Sequence, residues 1–234
     1  MDTKLLAEKG LNVREVAGSC FCCNFKGLID AAEGLRSLDA DVLIGEPVGS
    51  CTDLSATILQ PLKDKFRGQF EISPLSVLAD PQRLGEVLSD SQDALHTSAA
   101  YIFRKQLEEA DLVVVNKIDT VSPEEQGRLE RLIAERLPQA VVRFLSARTG
   151  EGLEAWLDEV LANQQAGSRI VDVNYDTYAE GEAVLGWLNA DIQLSSGAEK
   201  VEWGTFCRAE STVRRRGQTS FSTLVWRCRR RTWN

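Results

Sequence analysis

The sequence lacks the features that mark several common classes of protein. No run approaches the roughly 18 continuous apolar residues of a membrane-spanning helix. The first twenty residues include Asp2, Glu8 and Glu15 and do not resemble a signal peptide. Histidine occurs once, at His96, in a stretch with helical spacing where a structural or surface role is expected. These absences argue against a membrane protein and favour a cytoplasmic one.

The chain also has no Gly-Lys dipeptide. This excludes the G-x-x-x-x-G-K-[ST] loop, in which backbone N–H groups cradle phosphates, a lysine neutralises them and a hydroxyl binds magnesium. The 234 residues therefore carry no phosphate-binding signature of this type.

What is present fits a globular protein with an uneven charge distribution. With 43% apolar residues, the chain can form one main domain with a real core and a smaller additional piece. The net charge is −8, yet residues 207–234 hold eight arginines against one acid, Glu210, so residues 1–206 carry about −15. The acidic body argues against binding to nucleic acid. The basic tail, 212–234, has little amphipathic order and is expected to be disordered.

Three of the six cysteines are crowded together at Cys20, Cys22 and Cys23. Neighbours this close rarely form disulfides with one another, and in a reducing compartment such thiols are better suited to binding a metal ion. The alternative is that they are small buried apolar residues, as free cysteines often are. Cys51 can join such a site or simply pack in the core, and packing is the favoured interpretation.

Two strand-end loops carry the second set of candidate residues. Asn116-Lys117-Ile118-Asp119 follows the apolar run 112–115, and Ser146-Ala147-Arg148 closes the apolar run 141–145. In a parallel sheet the ligand crevice lies at the carboxyl ends of the strands, so the two loops are expected to meet around one ligand.

The residues in these loops fit a guanine base. The Asp119 carboxylate can accept two hydrogen bonds from the ring N–H and exocyclic amine of guanine, a donor pair that adenine lacks. Lys117 is expected to lay its aliphatic stem along the base, and the backbone N–H near Ala147 to reach the guanine oxygen. Asn116 is expected to brace the loop, and Ser146 belongs to the same pocket. The alternative is an ordinary strand-to-helix turn.

Strand-like and helix-like segments alternate along most of the chain, which predicts a doubly wound α/β domain with a mostly parallel sheet. Ser122-Pro123-Glu124-Glu125 combines a capping hydroxyl, a proline and a carboxylate at the spacing of a helix start, and this helix should run to about Arg136. The other strands are predicted at 13–16, 41–44, 75–79, 141–145 and 191–194. A further helix is predicted after the cysteine loop, with Leu28, Ile29, Ala32 and Leu35 on one face. Others are predicted after Asp53, kinked or divided at Pro61, from Pro81 to Leu88, up to about 109, after Gly152 and over 179–189.

Taken together, the motifs resemble the CobW/HypB/UreG family of GTP-binding metallochaperones, and the CobW-like branch in particular. The resemblance covers about residues 5 to 165 and its motifs occur in the family's order. They are Gly18-Ser19-Cys20-Phe21-Cys22-Cys23, Glu46-Pro47-Val48-Gly49, Ala110-Asp111, Asn116-Lys117-Ile118-Asp119 and Ser146-Ala147-Arg148-Thr149-Gly150.

The resemblance implies specific roles. The fold is of the P-loop NTPase type, and the three clustered cysteines bind a transition metal ion, zinc or cobalt, for delivery to a client metalloprotein. Glu46 reaches Mg²⁺ beside the phosphates of GTP, and the backbone of Gly49 approaches the terminal phosphate. Loss of that phosphate is expected to shift the thiolates and loosen the metal. A homodimer is possible by analogy.

The sequence also departs from the family pattern. The first strand, the P-loop and the first helix are missing, and the arginine-rich tail replaces the rest of the second domain. The expected organisation is a partial GTP-binding domain over 1–163, a linker over 164–169, the start of a small α+β domain over 170–211 and the tail over 212–234. Weak guanine-nucleotide binding and negligible GTP hydrolysis are expected.

Two other functions stay open. One is a non-catalytic metal-binding or interaction protein that keeps its thiolates but has no turnover. The other is nucleic-acid binding by the arginine tail, which predicts an affinity that falls steeply with added salt and that is lost when residues 212–234 are deleted.

Overall fold

The computed structural model describes residues 2–89, 96–162, 166–185 and 220–228. A π-helical turn (Ser55–Leu59) precedes the third helix, and a 3₁₀ turn (Ile118–Thr120) follows the fourth strand. The helices are α1 (Asp2–Glu8), α2 (Phe25–Arg36), α3 (Gln60–Lys65), α4 (Pro81–Leu88), α5 (Thr97–Glu109), α6 (Pro123–Arg136), α7 (Leu153–Ala162) and α8 (Tyr175–Leu185). The strands are β1 (Val42–Gly45), β2 (Phe70–Ile72), β3 (Ser76–Ala79), β4 (Leu112–Val115), β5 (Val141–Phe144) and β6 (Ser220–Cys228).

The strands form one sheet in the order β1-β6-β3-β4-β5, and β2 pairs with β6 off this path. Strands β3, β4 and β5 are parallel to one another. Strand β6 is antiparallel to β1, β2 and β3, so these three run in a common direction. The predicted α/β class with a mostly parallel sheet is confirmed. Because β1, β3, β4 and β5 run the same way, the loops that follow them leave the sheet in the same direction.

The centre of the sheet is covered on both faces. Every residue of β4 is buried. Val113 and Val115 pack with residues of α4, α5 and α6, whereas Leu112 and Val114 pack with Trp156 and other residues of α7. The sequence of a strand buried on both faces is a continuous run of apolar residues, as it is in Leu112–Val115.

Local sequence signals explain several helix starts. Asp80 caps α4 by accepting hydrogen bonds from the N–H groups of residues 82 and 83, and Pro81 follows in the first turn. Ser122 and Glu125 form the predicted capping box of α6, which ends at Arg136 as expected. The helical stretch after Asp53 is not divided at Pro61: it runs on from the π-helical turn into α3, and Pro61 lies in the first turn of α3.

A separate core lies under the first part of the chain. It is built by α2, β1, the π-helical turn, α3 and β2, and a row of aromatic rings runs through it. The ring centroids of Phe25 and Phe66 lie 6.1 Å apart, and those of Phe66 and Phe70 lie 6.3 Å apart. Cys20 and Cys22 pack against this core. The aromatic contacts fix the position of α2 and the loop before it, which carries the clustered cysteines.

The expectation of a disordered tail is wrong for residues 220–228. These residues form β6, which pairs with β1 through residues 224–227 and with β3 through residues 220–223. Strands β1 and β3 would otherwise leave unpaired N–H and C=O groups inside the sheet, and backbone pairing there is strongly favoured. The segment is rich in residues that favour strands, a signal that its arginine-rich flanks obscured.

Two further expectations need correction. Residues 13–16 are not a strand. Asp53 does not cap a helix with its side chain; the residue has a left-handed backbone (φ 61°), and its carboxylate accepts a hydrogen bond from Tyr175. The linker is anchored where it is described, because Gly167 and Ser168 donate hydrogen bonds to the buried Asp111 carboxylate.

The expected second domain is only partly described. Helix α8 lies against α5, and Gly181 allows the close approach: a Cβ there would stand 2.7 Å from the carbonyl oxygen of Ser98. The strand predicted at 191–194 and the rest of 186–211 lie outside the described residues. Within the described ranges, none of the helices has both the length and the apolar character that a bilayer crossing needs.

Candidate functional site

The two predicted base loops lie side by side after β4 and β5. The side-chain oxygen of Asn116 accepts hydrogen bonds from the backbone N–H of Ala147 at 3.0 Å and from that of Lys117 at 2.7 Å. Ser146 is fully buried, and its hydroxyl donates to Oδ1 of Asp119 at 2.5 Å. The structure therefore brings the five predicted base residues together, with Asn116 bracing the second loop against the first.

Asp119 presents a carboxylate with a partner on each oxygen. The Ser146 hydroxyl contacts one oxygen, and the Arg148 guanidinium forms an ion pair with the other. The Ser146 hydrogen bond is the main cause that holds the pKa of Asp119 below its ordinary value, and Arg148 acts in the same direction. The Arg148 side chain is 77% exposed. A ligand that brings its own donors can therefore displace Arg148 at little cost.

Lys117 and Ala147 have partners that the sequence did not reveal. Lys117 has a left-handed backbone (φ 64°), a costly conformation for a residue with a side chain, and its ammonium donates to Asp80 at 2.9 Å. Burial alone would raise the pKa of Asp80, but Lys117 and the backbone N–H groups of α4 hold it below its ordinary value. The N–H of Ala147, expected to reach the guanine oxygen, donates here to Asn116 and must exchange partners to do so.

The thiols of Cys20, Cys22 and Cys23 are close enough to share one ion. Their three Sγ atoms all lie within 4.8 Å of one another. Cys20 and Cys22 are 2.8 Å apart, and Cys22 and Cys23 are 4.0 Å apart. The next residue, Asn24, caps α2 with its side chain and so fixes the end of the loop. Cys23 is exposed while the other two are half-buried, which gives the group one open side.

These thiols differ in how readily they ionise. A hydrogen bond with Cys51 is the main cause that lowers the pKa of Cys22 to about 5. Burial raises the pKa of Cys20 to about 12, and the hydrogen bond with Cys22, followed by burial, raises the pKa of Cys51. Of Cys20, Cys22 and Cys51, Cys22 therefore forms a thiolate most readily, and the thiolate is the form that binds metal.

The predicted phosphate-side residues follow β1. Glu46 is exposed, and it lines a cavity of about 220 Å³ together with Ser19 and Cys20 of the thiol loop. Gly49 lies farther along, and its carbonyl accepts a hydrogen bond from Gln106 at 2.8 Å. The structure thus places Glu46 and the thiol loop on the walls of one cavity.

Two buried polar residues of α5, missed by sequence reasoning, hold the segment after Gly49. The Gln106 amide donates to the carbonyl oxygens of Gly49 and Cys51. The Glu109 carboxylate accepts hydrogen bonds from Thr52 and from the N–H of Ser55. Burial raises the pKa of Glu109 to about 7. The available signal was a glutamine and a glutamate three residues apart in a helix rich in apolar residues.

Helix α8 supplies two more contacts to the same segment. The Tyr175 hydroxyl donates to Asp53 at 2.6 Å, and the Ser50 hydroxyl donates to Glu182 at 2.6 Å. The Tyr175 pKa is raised to about 12, chiefly by its hydrogen bond to Asp53. Residues 49–55 are therefore held by α5 and α8, elements far away in sequence.

Comparisons with known proteins identify relatives of this arrangement. A family model described as the CobW/HypB/UreG nucleotide-binding domain matches residues 1–143. The zinc chaperone YeiR of Escherichia coli (strain K12) is 31% identical over an alignment of 140 residues, and the match covers 56% of this chain and 38% of that protein. The chain thus spans well under half the length of that relative. No solved structure gives a match. The family match includes the thiol loop, Glu46 and the Asn116–Asp119 loop, whereas Ser146 and Ala147 lie beyond it.

Proposed function

Because the chain belongs to the CobW/HypB/UreG family, we propose that it is a metal carrier whose hold on its ion depends on a guanine nucleotide. The ion is a transition metal, zinc or cobalt, and its recipient is a client metalloprotein. The observation that carries the proposal is the group of three thiols within 4.8 Å, one of which shares a cavity wall with Glu46. We place the protein in the cytoplasm, where thiols stay reduced and free to bind metal.

The base loops determine which nucleotide binds. Asp119 accepts the two donors of guanine after Arg148 moves aside, and the buried Ser146 keeps the carboxylate oriented. Asn116 holds the two loops together, and Ala147 donates its N–H to the guanine oxygen once it leaves Asn116. Lys117 borders the base while its ammonium stays on Asp80. Adenine is rejected because its edge would leave the Asp119 carboxylate without donors.

Glu46 and Gly49 form the phosphate side of the proposed site. The Glu46 carboxylate is a hard oxygen ligand that suits Mg²⁺, and it is exposed at the end of β1. When bound, Mg²⁺ supplies positive charge against the nucleotide phosphates. Gly49 offers a backbone N–H that no side chain shields. The chain has no Gly-Lys loop to cradle the phosphates, so the proposal for these 234 residues is nucleotide sensing, with slow or no hydrolysis.

The thiol loop carries the ion. Thiolates favour soft or borderline cations, and the three sulfur atoms occupy part of a tetrahedral shell. Exposed Cys23 gives a client ligand a point of approach. When the terminal phosphate is lost, movement of the segment after Glu46 would disturb the shared cavity and loosen the thiolates, so that the nucleotide state governs release. We also propose that two copies associate when nucleotide is bound.

A second candidate function is a metal-binding protein with no nucleotide control. The absence of a Gly-Lys dipeptide favours it, since phosphate contacts supply most of the affinity for a nucleotide. The two candidates differ in whether a nucleotide changes the affinity for metal.

The test is a zinc titration against a chromophoric chelator, made alone, with GDP, with a non-hydrolysable GTP analogue and with the matching adenine nucleotides. The proposal expects one zinc per chain, tighter binding with the GTP analogue than with GDP, and no effect of adenine nucleotides. Zinc binding that no nucleotide alters supports the second candidate. Failure to bind zinc at all contradicts both.

A further inference from the structure

Asp80 is the first residue after β3, and it lies beside the loop that carries Lys117. The backbone N–H of Asn116 donates to the carbonyl oxygen of Ala79 at 3.0 Å, which extends the parallel pairing of β3 and β4 to the ends of both strands. Because neighbouring parallel strands end at the same edge of a sheet, the loop after β3 starts at the same edge as the two base loops. A third strand-end loop therefore borders the proposed guanine site.

The two oxygens of the Asp80 carboxylate have different partners. Oδ1 accepts hydrogen bonds from the N–H groups of Gln82 at 3.0 Å and Arg83 at 3.3 Å, and in this way caps α4. Oδ2 accepts a hydrogen bond from the ammonium of Lys117 at 2.9 Å. The cap fixes the orientation of the carboxylate, so that its second oxygen is held at a defined place for the lysine.

The backbone of Lys117 is fixed by its own loop. Its N–H donates to the side-chain oxygen of Asn116 at 2.7 Å, and its carbonyl oxygen accepts from the N–H of Thr120 at 2.9 Å and from the Thr120 hydroxyl at 2.7 Å. The Lys117 side chain is 58% exposed, and an exposed lysine that has no fixed partner samples many rotamers. The bond to Asp80 therefore restricts the part of Lys117 that the loop does not hold.

Helix capping alone does not require this carboxylate. Serine, threonine and asparagine also cap helices, and none of them carries a charge that would hold a lysine. An exposed ion pair between two mobile side chains contributes little, because both must be ordered to form it. Asp80 is already ordered by α4, so the pair with Lys117 requires the ordering of the lysine alone, and this takes place before any ligand binds.

We propose that Asp80 is a positioning residue of the guanine site, which holds the aliphatic stem of Lys117 in the place where the base packs against it. The proposal rests on the guanine site of the proposed function and adds the loop after β3 to that site. Asp80 acts through Lys117 and does not contact the base itself. It also balances the charge of the ammonium, so that the lysine offers its methylene groups to the ligand. Since the stem is ordered in advance, nucleotide binding does not have to order it.

Calorimetric titration of the full chain with GDP tests the proposal, with Asp80→Asn made both in the wild type and in Lys117→Met. Asparagine keeps the cap of α4 but has no charge for the ammonium, and methionine keeps an apolar stem that has no charge for Asp80. The loss of GDP affinity caused by Asp80→Asn should be about three- to tenfold larger in the wild type than in Lys117→Met. A direct effect of the lost charge on the phosphates occurs in both backgrounds and cancels in this ratio. Asp158→Asn, at an exposed position of α7, removes the same charge and should give equal affinities with and without the substitution in both backgrounds.

An equal loss in the two backgrounds would mean that Asp80 acts through α4 and not through Lys117, and it would overturn the proposal. Unchanged GDP affinity in Asp80→Asn would overturn it as well, and both results leave the guanine site standing. Asp80→Ser, which also keeps a capping oxygen, gives the same comparison where Asp80→Asn fails to fold. A wild-type chain that binds no GDP overturns both this proposal and the guanine site on which it rests.

Discussion

The two halves of the sheet are held together in different ways. The base half (residues 76–162) contains β3, β4 and β5, which pair in parallel and are covered by helices on both faces. The thiol half (residues 18–72) contains β1, whose ladder is made with β6 from the far end of the chain. Every residue of β4 is buried, whereas Ile44 of β1 is 63% exposed. The base half is assembled from neighbouring segments, and the thiol half depends on distant ones.

The proposed sites show the same difference. The base loops are joined by their own contacts, Asn116 to Ala147 and Ser146 to Asp119. The segment after Gly49 is held by Gln106 of α5 and by α8. The base loops are thus held by each other, whereas the segment after Gly49 is held by helices that come later in the chain. A ligand that shifted α5 or α8 would therefore move this segment and leave the contacts between the base loops in place.

Removal of β6 should have the largest effect, and it should affect the thiol half far more than the base half. Deletion of residues 212–234 takes away the strand that joins β1 and β2 to β3, and the lost ladder should cost about 5 kcal/mol in the free energy of unfolding. Amide hydrogen exchange should show loss of protection in β1 and β2, while β4 stays protected. Deletion of 229–234 alone, beyond β6, should change neither. Full protection of β1 in the longer deletion would contradict the role given to β6.

The contact of α5 with residues 52–55 gives the next largest effect, and it depends on pH. The pKa of Glu109 is about 7 in the folded chain against an ordinary value of 4.5. Between these values the unfolded chain releases a proton that the folded chain keeps, so stability is highest below 4.5 and falls as the pH rises to about 7. The shift corresponds to about 3 kcal/mol.

Glu109→Gln should remove that part of the pH dependence. The free energy of unfolding, measured with urea, should fall between about pH 4 and about pH 8. This fall should be about 3 kcal/mol larger for the wild type than for Glu109→Gln. Glu154→Gln, at an exposed position of α7, is the control and should behave like the wild type. Equal pH slopes for wild type and Glu109→Gln would show that burial does not hold the Glu109 proton.

In the base half, Asp119→Asn should weaken guanine-nucleotide binding about 100-fold. The substitution replaces an accepting carboxylate oxygen by an NH₂ donor, which would face the N–H donors of guanine. Fluorescent GDP binding measures this loss, and the fold should stay intact since the Asn116 to Ala147 contact is kept. The exposed Asp158→Asn, with the same chemical change, should bind as the wild type does. Unchanged GDP affinity in Asp119→Asn would remove Asp119 from the base site.

The sequence predicted the base half well because its signals are local. A capping box, a proline in a first helical turn and a polar loop after an apolar strand each determine structure within a few residues, as at Ser122, Pro81 and Asn116. The three clustered cysteines are likewise adjacent in sequence. Burial of Leu112–Val115 on both faces follows from the unbroken apolar run.

The sequence could not predict contacts between distant segments. The core against which Cys22 packs includes Cys51, whose carbonyl is held by Gln106, and no local pattern records that. Strand β6 was not predicted for two reasons. Arginines flank the segment, and its pairing depends on a gap between β1 and β3 that the local sequence does not reveal. The hydrogen bonds that Tyr175 donates to Asp53 and that Ser50 donates to Glu182 depend on how α8 lies against α5.

The smallest effect is expected from Arg148→Ala. Arg148 is exposed and pairs with the Asp119 oxygen that guanine must reach. An exposed ion pair is worth less than about 1 kcal/mol, so its removal should raise guanine affinity only about two- to threefold. Arg131→Ala, an exposed arginine of α6, changes the net charge equally and serves as the control in the same GDP titration. A tenfold loss of affinity in Arg148→Ala alone would mean that the guanidinium contacts the nucleotide, so the base half would also have to rearrange to bind its ligand.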